Sequence, residues 1–133
     1  MKITPDTNVL VRAVTGDDPQ QSEIAHATLA NADAVALAIS ALCELVWVLS
    51  RGYKIPANQI AQAVRTFLNG ANVMVNRRVA EAGLAMLDAG GDFADGVIAY
   101  EGNWLGAEAF VSFDKNAVKL LQANGLSAEL LSA

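Results

Sequence analysis

At 133 residues, 53% of them hydrophobic and 17% charged, the chain is long enough to bury a sizeable core and reads as one domain, residues 1–133. Nine Lys and Arg against fourteen Asp and Glu give a net charge of −5, which excludes a global field drawing the chain onto nucleic acid; an anionic substrate would need local cations or a bridging metal. The lone Cys43 excludes an intramolecular disulfide, and without a signal-peptide pattern at the N-terminus a reducing, cytoplasmic setting is expected.

In chain order, Lys2 to Thr4 reads as a short strand leading to Asp6, and DTNVLVRAV as a helix. DPQQSEIAHATLANA is a second helix, opened near Pro19. The run from Ala34 to Ser50 approaches the length of a short membrane span, but it carries Ser40 and Glu44 and is read as a buried strand, Ala34 to Ile39, followed by a helix capped by Ser40. In that helix Leu42, Leu45, Val46 and Leu49 follow i, i+3, i+4, i+7 spacing. Pro56 opens a helix through Leu68, ANVMVN is a short strand, and Arg77 to Ala89 is a helix ended by Gly90-Gly91. DFADGVIAYEGNWLG is a helix, AFVSF a strand, Asn116 to Asn124 a helix closed by Gly125, and SAELLS a last strand. Such alternation predicts a parallel sheet with helices on both faces.

Four carboxylates, Asp6, Glu44, Asp95 and Asp114, lie within or beside strongly apolar segments. An acid forced toward a core must neutralise, find a cation or coordinate a metal. Three of the four fall where a predicted strand hands over to a helix, the place where open α/β folds bind ligands, so one acidic pocket holding a divalent cation is inferred. Bland accounts compete. Asp6 and Asp114 each precede a helix, and for either alone an N-cap is the simpler explanation. Asp92 and Asp95 flank a helix start at i, i+3 spacing, and Asp92 reads as a ligand or as a cap. Glu44 resists such an account: it is the only charge between Asp33 and Arg51, on a helix apolar nearly all round, where an unpaired ionised Glu would cost several kcal/mol.

The strings DTNVLVR, ISALCELVWVL, DFADGVIA and VSFDKNAVKL resemble the successive signature segments of PIN-domain ribonucleases, most nearly the VapC type, the toxin half of bacterial toxin–antitoxin pairs. The resemblance implies an α/β fold, three-layer α/β/α with a mainly parallel central sheet, and a Mg²⁺- or Mn²⁺-dependent endoribonuclease. Carried over by position, Asp6, Glu44, Asp95 and Asp114 are its catalytic and metal-binding residues, Asn8 and Ser40 support the pocket, and Asp92 matches a less constant acid. It also implies a homodimer and a cognate antitoxin whose C-terminal segment lies along the active-site groove. Pro5 departs from the pattern, since relatives often end the first strand on an apolar residue.

The chemistry agrees with the resemblance. Oxygen-only ligands select hard cations, and a cation so held activates water for in-line attack on a phosphodiester. Arg12 and Lys115 are candidate phosphate contacts; Arg51, Lys54, Arg77 and Arg78 read as solvated surface charge. His26 lies away from every acid segment, Cys43 reads as a small core residue, and Trp47, Trp104 and the Phe residues read as packing. The apolar face from Ile55 to Leu68 is a candidate dimer surface, though periodicity does not separate it from a core face. Two alternatives stay open: an Asp- and Mg²⁺-dependent phosphotransfer or phosphatase domain, against which the string Asp6-Thr7-Asn8 counts because such sites want an acidic pair or D-x-D, and a non-catalytic RNA-binding or assembly domain on the same scaffold.

Overall fold

Pro5 has no N–H to give a strand ladder, and the first strand, β1, stops at Lys2–Ile3, one residue before the expected Thr4. The computed structural model describes residues 1–133, which divide into two units, Met1–Arg77 and Arg78–Ala133.

In the first unit β1 is followed by α1 (Thr7–Thr15), α2 (Pro19–Asn31), β2 (Ala34–Ala36), α3 (Ile39–Trp47), a π-helical turn (Val48–Gly52), α4 (Ala57–Leu68) and β3 (Val73–Met74). The strands pair in parallel in the order β1-β2-β3, with Ile3 opposite Val35 and Val35 opposite Val73. Each crossover contains helices, as parallel pairing requires. Asn72 Nδ2 donates to the Leu29 and Ala32 carbonyls, both at 2.9 Å, anchoring the end of α2 to the approach of β3. Leu10, Val35, Leu42, Leu45, Leu49, Ile60 and Val64 are buried, which bears out the spacing read in α3.

Two expectations about α3 are corrected. Its N-cap residue is Ala38, which makes no side-chain cap bond, and Ser40 lies exposed inside the first turn; β2 ends at Ala36 because its partner β3 ends at Met74, so the helix starts earlier than Ser40. The α-helix also stops at Trp47, and a wider π turn carries the chain to Gly52. In α4 the apolar stripe Ile60, Ala61, Val64 and Leu68 is buried; this is a core face, not the free surface that the dimer expectation needs.

Past the π turn, Lys54 is the one non-glycine residue at positive φ, 55°, a conformation that crowds a Cβ and is worst for branched side chains. Lys54→Val is therefore expected to lower stability by about 1–2 kcal/mol and Lys54→Gly to leave it level or slightly raised, as thermal melts of the two variants will show.

The second unit runs α5 (Arg77–Asp88, begun one residue earlier), α6 (Phe93–Trp104), β4 (Phe110–Ser112), α7 (Lys115–Ala123) and β5 (Ala128–Leu130). Strands β4 and β5 are parallel, Phe110 opposite Ala128 and Ser112 opposite Leu130, with α7 as the crossover. Met86, Ala99, Val118, Leu121 and Ala128 form its core, flanked by Phe110, Leu120 and Leu126. Helices α5 and α6 meet without room for side chains: a Cβ on Gly96 would lie 2.3 Å from the Ala82 carbonyl oxygen, and one on Gly83 would lie 2.6 Å from the Phe93 ring. Phe93 is fully buried there. The expectation that both tryptophans and all phenylalanines pack inside is corrected: Trp47, Trp104 and Phe113 are 61%, 73% and 69% exposed. No helix is long and apolar enough to cross a membrane.

Candidate active site

In the first unit Asp6 occupies the N-cap of α1, where the backbone is extended and its Oδ1 accepts from the Val9 N–H at 3.1 Å. The cap account of Asp6 is thus correct, and it leaves Oδ2 for another partner. The next residue, Thr7, donates its hydroxyl to Glu44 Oε2 at 2.9 Å, so the sheet-side end of α1 and the middle of α3 present Asp6 and Glu44 on one rim. Thr7 was not singled out in the sequence, although its position between Asp6 and Asn8 marks it. Glu44 is exposed, which corrects the premise that it is buried on an all-apolar helix; α3 has an open edge where Glu44 and Trp47 emerge three residues apart. Asn8 and Ser40 are exposed on the first turns of α1 and α3.

Arg12 does not stand free for phosphate. Its Nη1 pairs with Asp17 Oδ1 at 2.8 Å and reaches Tyr53 OH at 3.5 Å, while Nε donates to Gln21 Oε1 at 2.8 Å. Asp17 accepts further from Tyr53 OH at 2.7 Å and from Thr15 Oγ1 at 2.8 Å. These hydroxyls, the tyrosine first, and then Arg12 hold the Asp17 carboxyl down at about 2. A depressed acid contributes stability above its unfolded pKa and loses it as pH falls through the folded one. The Asp17 contribution is therefore expected to be intact above the ordinary aspartate value near 4 and to disappear toward pH 2. Melts of wild type and Asp17→Asn across that window check this: the two should converge at the acid end.

In the second unit Asp92 caps α6, its Oδ1 accepting from Ala94 N–H at 3.2 Å, and Asp114 caps α7, its Oδ1 accepting from Asn116 and Ala117 N–H at 2.9 and 3.1 Å. Ser112 Oγ accepts from Asp114 N–H at 2.9 Å and orients that turn, a role the sequence reading missed. Asp95 sits in the first turn of α6 and is half-buried. Burial first, then the charges of Asp92 and Asp114, push its carboxyl up from the ordinary value, although a helix N-terminus favours the anion. Burial and like charge together therefore outweigh the dipole at Asp95. Lys115, exposed at the start of α7, follows Asp114 directly.

No charged or polar residue of the chain is fully buried; Asp6, Glu44, Asp92 and Asp114 are exposed and Asp95 is half-buried. Within neither unit do three ligating side chains already close on one point. In each unit the candidate donors are carboxylate oxygens, the kind a hard cation takes, and at Asp95 burial and then like charge oppose ionisation in a way that a cation would relieve.

Parallel strands joined by helical crossovers, with carboxylates at helix starts in each unit, define an α/β protein. A family model described as PIN domain matches residues 3–120, across both units, and the chain belongs to that family. PIN domains are generally metal-dependent nucleases, and the α/β architecture with parallel strands expected from the sequence is the PIN-like one. No curated protein matches the chain.

Proposed function

We propose that this PIN-domain chain is a metal-dependent endoribonuclease and the toxin of a VapC-type toxin–antitoxin pair, its two units working as a single nuclease domain. The observation that carries the proposal, beside the family match, is Asp95, half-buried in the first turn of α6, where burial first and then the charges of Asp92 and Asp114 oppose its ionisation. Asp6 and Asp95 would hold Mg²⁺ or Mn²⁺ directly, and Glu44 and Asp114 directly or through water. The chemistry such a cation supplies when bound is Lewis-acid activation of water and neutralisation of charge on the phosphoryl oxygens.

The chain's own groups do the rest. Capping binds Oδ1 of Asp6 and of Asp114 to backbone N–H groups and thereby orients each carboxylate without consuming its second oxygen. The Thr7 hydroxyl holds Glu44 Oε2. Asp95, whose ionisation burial and then Asp92 and Asp114 oppose, is the carboxylate that gains most from a neighbouring cation. Lys115 supplies a cation for a flanking phosphate, whereas the charge of Arg12 is already engaged by Asp17. Asn8 and Ser40 add polar contacts at the rim.

The second unit has three Lys and Arg against eight Asp and Glu, so the whole net charge of −5 resides there, the first 77 residues being balanced at six each. Together with exposed Ile98, Trp104, Leu105 and Phe113, this favours a basic, amphipathic partner segment such as an antitoxin tail. A homodimer in the cytoplasm belongs to the same proposal. Purified Asp6→Asn should retain its fold and lose Mg²⁺-dependent RNA cutting; wild-type cutting by that variant would overturn the assignment. Co-purification with a short basic-tailed protein that silences the nuclease tests the toxin role.

A further inference from the structure

Between α1 and α2 lies a cleft of about 260 Å³ that begins at Asp6 and is bounded by Arg12, Gln21, Ile24, Ala25 and Thr28. Ala25 is buried and gives it an apolar floor, while Ile24 stands 59% exposed at its rim. The guanidinium of Arg12 is held on three sides by Asp17, Gln21 and Tyr53. That fixation uses Nε and Nη1 and leaves Nη2 as a donor; Gln21, which accepts from Arg12 through Oε1, keeps its Nε2 N–H groups. The N–H groups that the pair has left are donors, and because Arg12 is already held by three partners little further entropy is lost when a ligand meets it.

We infer that this cleft receives a guanine base of the RNA beside the scissile phosphate, an inference that rests on the nuclease function proposed above because Asp6 lies at its mouth. A phosphate is disfavoured there, since Asp6 and Asp17 repel an anion and Asp17 already takes the Arg12 charge. A neutral base is not repelled. Among the purines guanine offers two adjacent acceptors, O6 and N7, to paired donors, whereas adenine sets an amino donor against them. Ile24 at the rim suits the apolar face of an unstacked base, the form in which single-stranded RNA is read.

Short oligouridines carrying a single central A, C, G or 7-deazaguanine decide the matter. Their binding is measured by fluorescence anisotropy in EDTA, and their cutting in Mg²⁺. The guanine oligonucleotide is expected to bind about tenfold more tightly than the adenine one, with most of that gain lost on 7-deazaguanine, which lacks the N7 acceptor. Gln21→Met and Arg12→Lys, both checked by thermal melts, should bring the preference toward unity; Arg12→Lys keeps the charge and removes the fork. Binding indifferent to the base, preference for any base but guanine, or a preference that survives in both variants overturns the inference while leaving Mg²⁺-dependent cutting in place. Guanine-selective binding without any cutting would instead sink the nuclease function and retain the cleft as a base site.

Discussion

Asp95→Asn is expected to reduce RNA cutting by about a hundredfold or more, the upper end of what residues that merely orient metal ligands are worth, and to raise the melting temperature in EDTA at neutral pH. The two effects have one origin. Burial and the charges of Asp92 and Asp114 hold the Asp95 pKa above its unfolded value, so above that folded pKa the ionised group costs stability, and the cost is relieved as pH falls through it. Asparagine removes the charge and keeps the shape. Adding Mg²⁺ should narrow the gap, because a cation that binds the folded wild type stabilises it by mass action and finds a weaker site in the variant. Paired melts with and without Mg²⁺, beside a cutting assay, make the check. A variant that melts below wild type in EDTA would show instead that the carboxylate serves an internal hydrogen bond. Glu44→Gln, by contrast, should be nearly neutral in stability, since the amide oxygen can still accept from Thr7.

The largest loss of stability is expected from Gly96→Ala. An added Cβ would meet the Ala82 carbonyl oxygen at 2.3 Å and the Met86 Cγ at 2.9 Å. The Met side chain can swing aside, but the backbone oxygen moves only if α5 and α6 separate, which opens the contact of Phe93 with Gly83. Alanine gains about 1 kcal/mol of helix propensity over glycine, yet overpacking against backbone costs about 3 kcal/mol or more at so close an approach. A net loss of about 2 kcal/mol or more corresponds to a fall in melting temperature of roughly 6–10 °C for a chain of this size. Since Gly96 adjoins Asp95, cutting should fall with it. Unchanged melting would mean that the two helices are free to move apart.

Local chemistry was readable from residue order. Asp6, Asp92 and Asp114 stand before helices that their side chains cap, and the apolar residues at i, i+3, i+4, i+7, Leu42, Leu45 and Val46 in α3 and Leu49 in the π turn, are buried, because caps and helical faces are set by neighbours a few positions apart. The order of elements and the parallel pairing followed from the alternation of strand and helix patterns. The family resemblance carried by DTNVLVR and DFADGVIA was legible for the same reason, each acid being embedded in its own transition.

Other features depend on partners distant in sequence. A strand lasts only as long as its neighbour: β2 ends at Ala36 because β3 ends at Met74, and no property of Leu37 to Ile39 says so. An apolar residue is buried only if another element covers it, so Trp47, Trp104 and Phe113 emerged exposed while Phe93 did not. The engagement of Arg12 by Asp17 and Tyr53, and that of Glu44 by Thr7, join residues on separate elements. By itself the sequence determined which residue types could do acid chemistry and where helices would begin; which of them meet, which face water, and how closely α5 approaches α6 were decided by tertiary packing, because burial and like-charge repulsion are properties of surroundings that the chain acquires only on folding.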